Sequence, residues 1–253
     1  MVRFTRWLGL GVLLASLLAP GMAHAAKVLY WADSWAGTDY WTPAFALRGD
    51  TVTTASSASD LVTQLAAGPW DVVVVSENGN NQSATWAAPV ASYIASGGRV
   101  VVNNWYNNAA LDAATQTSVV GQNQTAGVIN AAGVAAGLSA GLPSTSFTLT
   151  NAGWGTFSQS FSLAAAGGAQ SLCDFPDGSC AVLGNGGHTL RLGFIPDGLP
   201  SAIGARLLAN ALGLTATSTP RVVAPVPTLS QWTLMFLVIL LAGMALRSRR
   251  FQA

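Results

Sequence analysis

Trp70-Asp71-Val72-Val73-Val74-Val75-Ser76 is apolar at odd and even positions alike. A strand wetted on one side alternates between apolar and polar residues. A run without alternation therefore belongs between two layers of helix, as in the centre of a parallel sheet. Working outward, Arg99 to Asn103 (RVVVN) and Lys27 to Asp33 (KVLYWAD) have the same character, and Thr51 to Ala55 (TVTTA) is β-branched. Between these runs lie three helical patterns. Asp39 to Arg48 carries Tyr40, Trp41, Phe45 and Leu47 and stops at Gly49. Ser57-Ala58-Ser59-Asp60 has the capping-box pattern, followed by Leu61, Leu65 and Ala66 before Gly68. Thr85 to Ser96 closes at Gly97-Gly98. Strands alternating with helices of this length predict a doubly wound, mostly parallel α/β sheet.

The second half changes character. Ala109 to Ala140 is rich in Ala, Gly, Asn and Gln, and reads as one or two short helices with loops. Phe147 to Asn151, Gln170 to Cys173, Cys180 to Gly184 and Thr189 to Ile195 read as short strands. These imply a few antiparallel neighbours. The last two are joined by Gly184-Asn185-Gly186-Gly187, residues tolerant of positive φ. Ser201 to Leu212 is expected to form a final helix.

Both ends read as processing segments. Met1 to Ala25 has Arg3 and Arg6, an apolar stretch from Trp7 to Ala19, and the small-residue site Ala23-His24-Ala25, the layout of a secretory signal peptide cleaved after Ala25. An uncleaved N-terminal membrane helix is the alternative. The domain itself is expected over 26–214, with a proline-bearing spacer over 215–225. Trp232 to Leu246 is apolar, about 22 Å of helix, short of the roughly 20 residues a bilayer requires. Interfacial Trp232 and snorkelling arginines extend it to a transmembrane helix. Arg247, Arg249 and Arg250 then hold the C-terminus cytoplasmic and the domain outside. The competing reading of this run is a buried core helix.

Only 8% of residues are charged and 51% are hydrophobic. Of the 11 basic residues, five lie in the two end segments, so the domain and its spacer together carry six, Arg221 of the spacer included, against ten carboxylates. That leaves no basic footprint for nucleic acid. Cys173 and Cys180 flank Asp-Phe-Pro-Asp-Gly-Ser, whose Pro-Asp-Gly favours a turn, so the thiols are placed to form a disulfide in an oxidising compartment. The alternative, zinc, wants about four ligands, and the processed domain has one histidine, His188. No metal and no cofactor is expected.

In open α/β sheets ligands bind beyond the carboxyl ends of the strands. The residues there are Asp33, Ser34 and Trp35 after the first strand, and Glu77, Asn78, Asn80 and Asn81 after the third. Asn104, Trp105, Tyr106, Asn107 and Asn108 follow the fourth. Amides bind hydroxyls and flat rings cover the apolar face of a pyranose, so Asp33, Trp35, Glu77, Asn78, Asn104, Trp105 and Tyr106 form a candidate glycan rim. The plainer reading is that asparagines fill loops and aromatics close the core.

Two resemblances extend this reading. The strand order, Gly97-Gly98-Arg99-Val100-Val101-Val102, Ala152 to Gly155 (AGWG) and Leu192 to Asp197 (LGFIPD) together resemble a class I glutamine amidotransferase-like, flavodoxin-like domain over Lys27 to Leu214. The family's enzymes use a cysteine on the turn after a central strand and a histidine before Pro-Glu. Here that turn reads Asn103-Asn104-Trp105, and Ile195 stands where the histidine would fall. The resemblance implies the fold and argues against the activity, so no catalytic residue is assigned.

The tail resembles the IPTL-CTERM sorting domain. Val226, Pro227, Thr228, Leu229, Ser230, Gln231 and Trp232 follow its opening Ile-Pro-Thr-Leu-Ser-x-Trp, with valine for the first isoleucine. This implies a Gram-negative exported protein, handled by the general secretion machinery and by a membrane sorting protease. It would pass through the inner membrane with its domain in the periplasm, then reach the outer surface or the medium. The sequence as a whole therefore predicts a non-catalytic surface protein recognising glycan or extracellular polymer. The alternatives are an enzyme with an unrecognised site and a structural surface component.

Overall fold

The computed structural model describes residues 25–34, 36–150 and 160–215. Five strands form a parallel half, in the order β2-β1-β3-β4-β11: β1 Lys27–Ala32, β2 Thr51–Thr54, β3 Val72–Glu77, β4 Val100–Asn104 and β11 Thr189–Leu192. The valine run is the central strand as expected, with Val73 opposite Val100 and Val28 opposite Val72 in register. β3 and β4 are buried at every position.

Helices cover both faces. α1 (Trp41–Arg48) and the final helix α6 (Gly204–Thr215) pack on one, where Trp41, Phe45, Leu207, Leu208 and Leu212 meet Val72, Val74, Val101 and Leu190. α2 (Ala58–Ala67), α3 (Ser83–Ala95) and α4 (Ala109–Thr115) pack on the other, where Leu61, Trp86, Val90 and Leu111 meet Val73, Val75, Val100 and Val102. The predicted cap is present: the Ser57 side chain accepts from the Asp60 amide at 3.0 Å. The Asp60 carboxylate reaches back to the Ser56 amide, one residue earlier than a capping box requires.

The expectation of a mostly parallel sheet is corrected. Six further strands join antiparallel to one another: β5 Thr117–Gln122, β6 Ala126–Ile129, β7 Ser146–Thr148, β8 Phe161–Ala165, β9 Gln170–Phe175 and β10 Gly178–Gly184. β10 pairs antiparallel with β11, where the two halves meet. The region read as short helices and loops does hold α4 and α5 (Ala131–Ala136), but β5 and β6 lie between them. These two strands are short and partly exposed, with Val120 and Val128 on the outside and Gly127 on the inside, so they lack the apolar contrast that marks a strand. The final helix starts at Gly204, three residues later than expected.

Cys173 and Cys180 form a disulfide between β9 and β10, both buried. The glycine-rich turn after β10 is a short 3-10 helix, with positive φ at Asn185, Gly186 and Gly187. No helix among the described residues is long and apolar enough to cross a membrane. The predicted signal peptide, the Ala152 to Gly155 stretch and the expected membrane helix over 232–246 lie outside the described residues.

The amino edge of the parallel half is closely paired. The Ala26 amide donates to Asp50 Oδ1 at 2.9 Å, and Arg48 Nε to Asp50 Oδ2 at 2.8 Å. Arg99 Nη1 donates to the Thr215 carbonyl at 2.7 Å, and its Nη2 lies 3.3 Å from His188 Nε2. The single histidine of the domain therefore sits at the edge opposite the candidate rim.

Candidate functional site

At the carboxyl edge the turn after β3 wraps round one carboxylate. Asp33, just past β1, accepts from the amides of Asn78 at 2.6 Å, Gly79 at 3.0 Å and Asn80 at 2.5 Å. Asn78 is buried and committed to the framework: its Nδ2 donates to the Ser34 carbonyl at 2.7 Å, while its Oδ1 accepts from Ser76 Oγ at 3.1 Å and Asn103 Nδ2 at 2.9 Å. Asp33 and Asn78 thus shape the rim, with their polar atoms bonded to the framework.

The chain of amides ends without a donor. Asn103 Oδ1 is buried with no partner. One register step along, on the opposite face of the sheet, Glu77 stands opposite Asn104. Asn104 Nδ2 donates to the Tyr106 carbonyl, which fixes the orientation of the amide, because a flip would set two oxygens against each other. Its Oδ1 is buried and unpartnered.

Glu77 is fully buried. Its Oε1 accepts from the Gln82 amide at 2.7 Å and from Trp86 Nε1 at 3.1 Å, while Oε2 has no partner. Burial pushes this carboxyl up to about 7. The hydrogen bonds from Trp86 and Gln82 oppose that shift, and the charge of Asp33 adds to it. Near neutral pH, then, Glu77 populates both protonation states and can give or take a proton at Oε2. Leaving a buried polar atom unpaired costs about 1–3 kcal/mol. Three such oxygens within two adjacent strands are the most distinctive feature of this edge.

Outside this group the surface is aromatic and amide-rich. Trp105 is half-buried and stacks on Phe161 at 5.0 Å, which occupies part of its ring. Tyr106 is also half-buried, its hydroxyl donating to the Gly79 carbonyl at 3.2 Å. Asn80, Asn81 and Asn107 are exposed, whereas Asn108 caps α4 by accepting from the amides of Ala110 and Leu111. Trp35 lies outside the described residues. Ile195, at the position of the family's histidine, is buried apolar core. Asp197 accepts from the amides of Ala36 and Gly37 at 3.1 and 3.2 Å, fastening the loop after β1 to the segment after β11.

Of the residues expected at the rim, Glu77, Asn104, Trp105 and Tyr106 lie together at this edge. Sequence reasoning passed over Asn103 as a site residue and missed the contributions of Trp86, Phe161 and Asp197. Asn103 was within reach, since it continues the strand that ends in Asn104. Trp86 and Phe161 carry no signal beyond being aromatic.

A second buried charge lies one strand over, where Arg191 of β11 stands opposite Val102 of β4. Arg191 on β11 pairs with Asp112 of α4, and its Nη1 also donates to Thr117 Oγ1 at 3.1 Å. Desolvation lowers its pKa, opposed by Asp112. It ties α4 and β5 to β11.

Strand order defines the class, a mixed α/β sheet fold that resembles glutamine amidotransferase-like neighbours. Two solved structures are similar. One is described as a GMP synthase subunit protein from Thermoplasma acidophilum, with TM-score 0.50 and 14% identity, covering 76% of this chain and 96% of that one. The other is a cytoplasmic protein from Salmonella typhimurium LT2, with TM-score 0.50 and 15% identity, covering 76% of this chain and 100% of that one. Likeness at this identity defines the fold alone. No curated protein matches the chain in sequence.

More particular is the C-terminus. Residues 224–251 match the IPTL-CTERM motif, which indicates an exported, surface-sorted protein. The sorting residues read from the sequence, Val226 to Leu229, Ser230 and Trp232, and the arginines 247, 249 and 250 fall within that match.

Proposed function

We propose that the protein is a non-catalytic recognition module, displayed outside the cell, that binds a glycan or another hydroxyl-rich polymer at the carboxyl edge of its parallel sheet. The observation that carries this reading is that Glu77 Oε2 and Asn104 Oδ1 on one face of this edge, and Asn103 Oδ1 on the other, are buried acceptors without donors, followed in the chain by the half-buried Trp105 and Tyr106. Unpaired acceptors call for donors, and sugar hydroxyls are donors that come with an apolar ring face suited to tryptophan. The low density of charge fits a neutral ligand.

Against catalysis by the fold's usual chemistry, Asn103 and Asn104 occupy the turn where a nucleophile would stand. Ser76 Oγ is spent on Asn78, and His188 lies at the other edge. The tail completes the reading. The secretion machinery delivers the chain to the inner membrane, the segment over 232–246 holds it in the bilayer, and a membrane protease acting at the Pro-Thr-Leu motif passes it to the surface.

The test is an array of envelope and matrix polysaccharides probed with the processed protein and with Trp105→Ala. Binding by the first, lost in the second, is expected. Failure to bind any polysaccharide contradicts the reading. One observation favours a hydrolase instead: a buried carboxyl poised near 7 has the profile of a general acid or base. Release of new reducing ends from a bound polysaccharide, abolished by Glu77→Gln, would establish that alternative.

A further inference from the structure

The sequence places signal-peptide cleavage after Ala25, and the structure gives the atom that cleavage would expose a specific neighbour. The backbone nitrogen of Ala26 lies 2.9 Å from Asp50 Oδ1. Ala26 is 5% exposed, and the Asp50 side chain is fully buried. The same carboxylate takes Arg48 Nε on its other oxygen at 2.8 Å. The Ala26 carbonyl accepts from the Thr51 amide at 2.8 Å, so the residue is held from both sides at the start of β1.

We propose that Asp50 is the binding site for the α-ammonium group of the mature protein, so that removal of the signal peptide creates a buried ion pair locking β1 to the junction between α1 and β2. The proposal rests on the export reading given above. Signal peptidase adds water across the Ala25–Ala26 peptide bond. The C–N bond breaks, Ala25 keeps the carboxylate, and the released amine takes up a proton to become an ammonium. A neutral amide donor is thereby replaced by a cation at the same atom, turning an amide–carboxylate hydrogen bond into one charged on both sides.

Every charged group nearby can be named. Asp50 and Arg48 face the nitrogen from the α1–β2 junction. Asp71, ahead of β3, accepts from the Lys27 amide at 2.7 Å, and Lys27 Nζ lies over the Trp70 ring at 4.4 Å. Two carboxylates thus face three cations, Arg48, Lys27 and the new ammonium, with Asp50 shared between Arg48 and the ammonium. The sign of the pH dependence follows. An ammonium that gains a partner on folding titrates above the roughly 8 of a free α-amine, so its stabilisation is present below that pH and is lost as pH rises through the raised midpoint.

The experiment uses the exported, processed chain and a variant with one alanine inserted between Ala25 and Ala26, which moves the ammonium one residue outward. Terminal sequencing should begin at Ala26. At pH 7.5 an amine-acylating reagent should modify the mature α-amine roughly tenfold more slowly than that of the insertion variant, as a shift of about one pKa unit requires. Asp50→Asn should raise the rate to the variant's level. A start at Met1 overturns the export reading and this one with it. A start at Ala26 with equal rates in all three proteins overturns the ion pair alone.

Discussion

The two edges of the parallel half are built from the same strands and treat their polar groups in opposite ways. At the amino edge Asp50 is bonded at both oxygens and Arg99 bridges to Thr215 and His188. At the carboxyl edge Glu77, Asn103 and Asn104 each keep a buried oxygen without a donor, and Ser34 Oγ is unpartnered too. A folded chain has no need to leave acceptors unpaired where a threonine or a leucine would serve, so the cost is expected to fall where function requires it. The contrast teaches that unpartnered buried oxygens gather at the carboxyl edge, where open α/β sheets bind ligands, while the polar groups of the amino edge are paired.

Asp33→Ala offers the strongest way to break that comparison. If the edge is held in shape by one carboxylate gathering three amides, its removal should cost about 3 kcal/mol in denaturant unfolding, since hydrogen bonds to charged groups contribute about 1.5–3 kcal/mol. A loss under about 1 kcal/mol would mean that the turn holds itself.

Glu77→Gln should have a smaller effect, and one confined to part of the pH range. A folded carboxyl near 7, against an ordinary 4.5, binds protons more tightly than the unfolded chain does. The stability it supports is complete below about 4.5 and falls away as pH rises through 7. The natural protein should therefore lose about 2 kcal/mol between pH 5 and pH 8 that Glu77→Gln does not lose. Parallel stability profiles for the two proteins would show that Glu77 titrates normally.

The parallel half was legible because its strands are buried on both faces. Val72 to Val75 and Val100 to Val102 have no polar position to blur the reading. The antiparallel lobe was not, because a strand such as Ala126–Ile129 is short, sets Gly127 beside Ile129 on its inner face and exposes Val128 on the outer one, which blurs the alternation. Its core depends on Leu163, Leu172 and Phe175, together with the disulfide, and these are spread over separate segments.

The site divided along the same line. The rule that ligands meet the carboxyl ends of strands points to Glu77, Asn104, Trp105 and Tyr106. Which of the polar groups there were already spent is a matter of three dimensions. Asp33 and Asn78 look like binding residues in one dimension, yet they are bonded to the turn of a neighbouring strand more than forty residues away in the chain.

The central claim is that this edge, and not its opposite, meets the ligand. Hydrogen exchange of the processed protein, with and without the polysaccharide selected on the array, tests it most directly. Protection confined to residues 77–82 and 103–108, with Ala26, Asp50, Arg99 and His188 unchanged, is the predicted result. Protection centred on the amino edge, with 103–108 exchanging as before, would contradict the account.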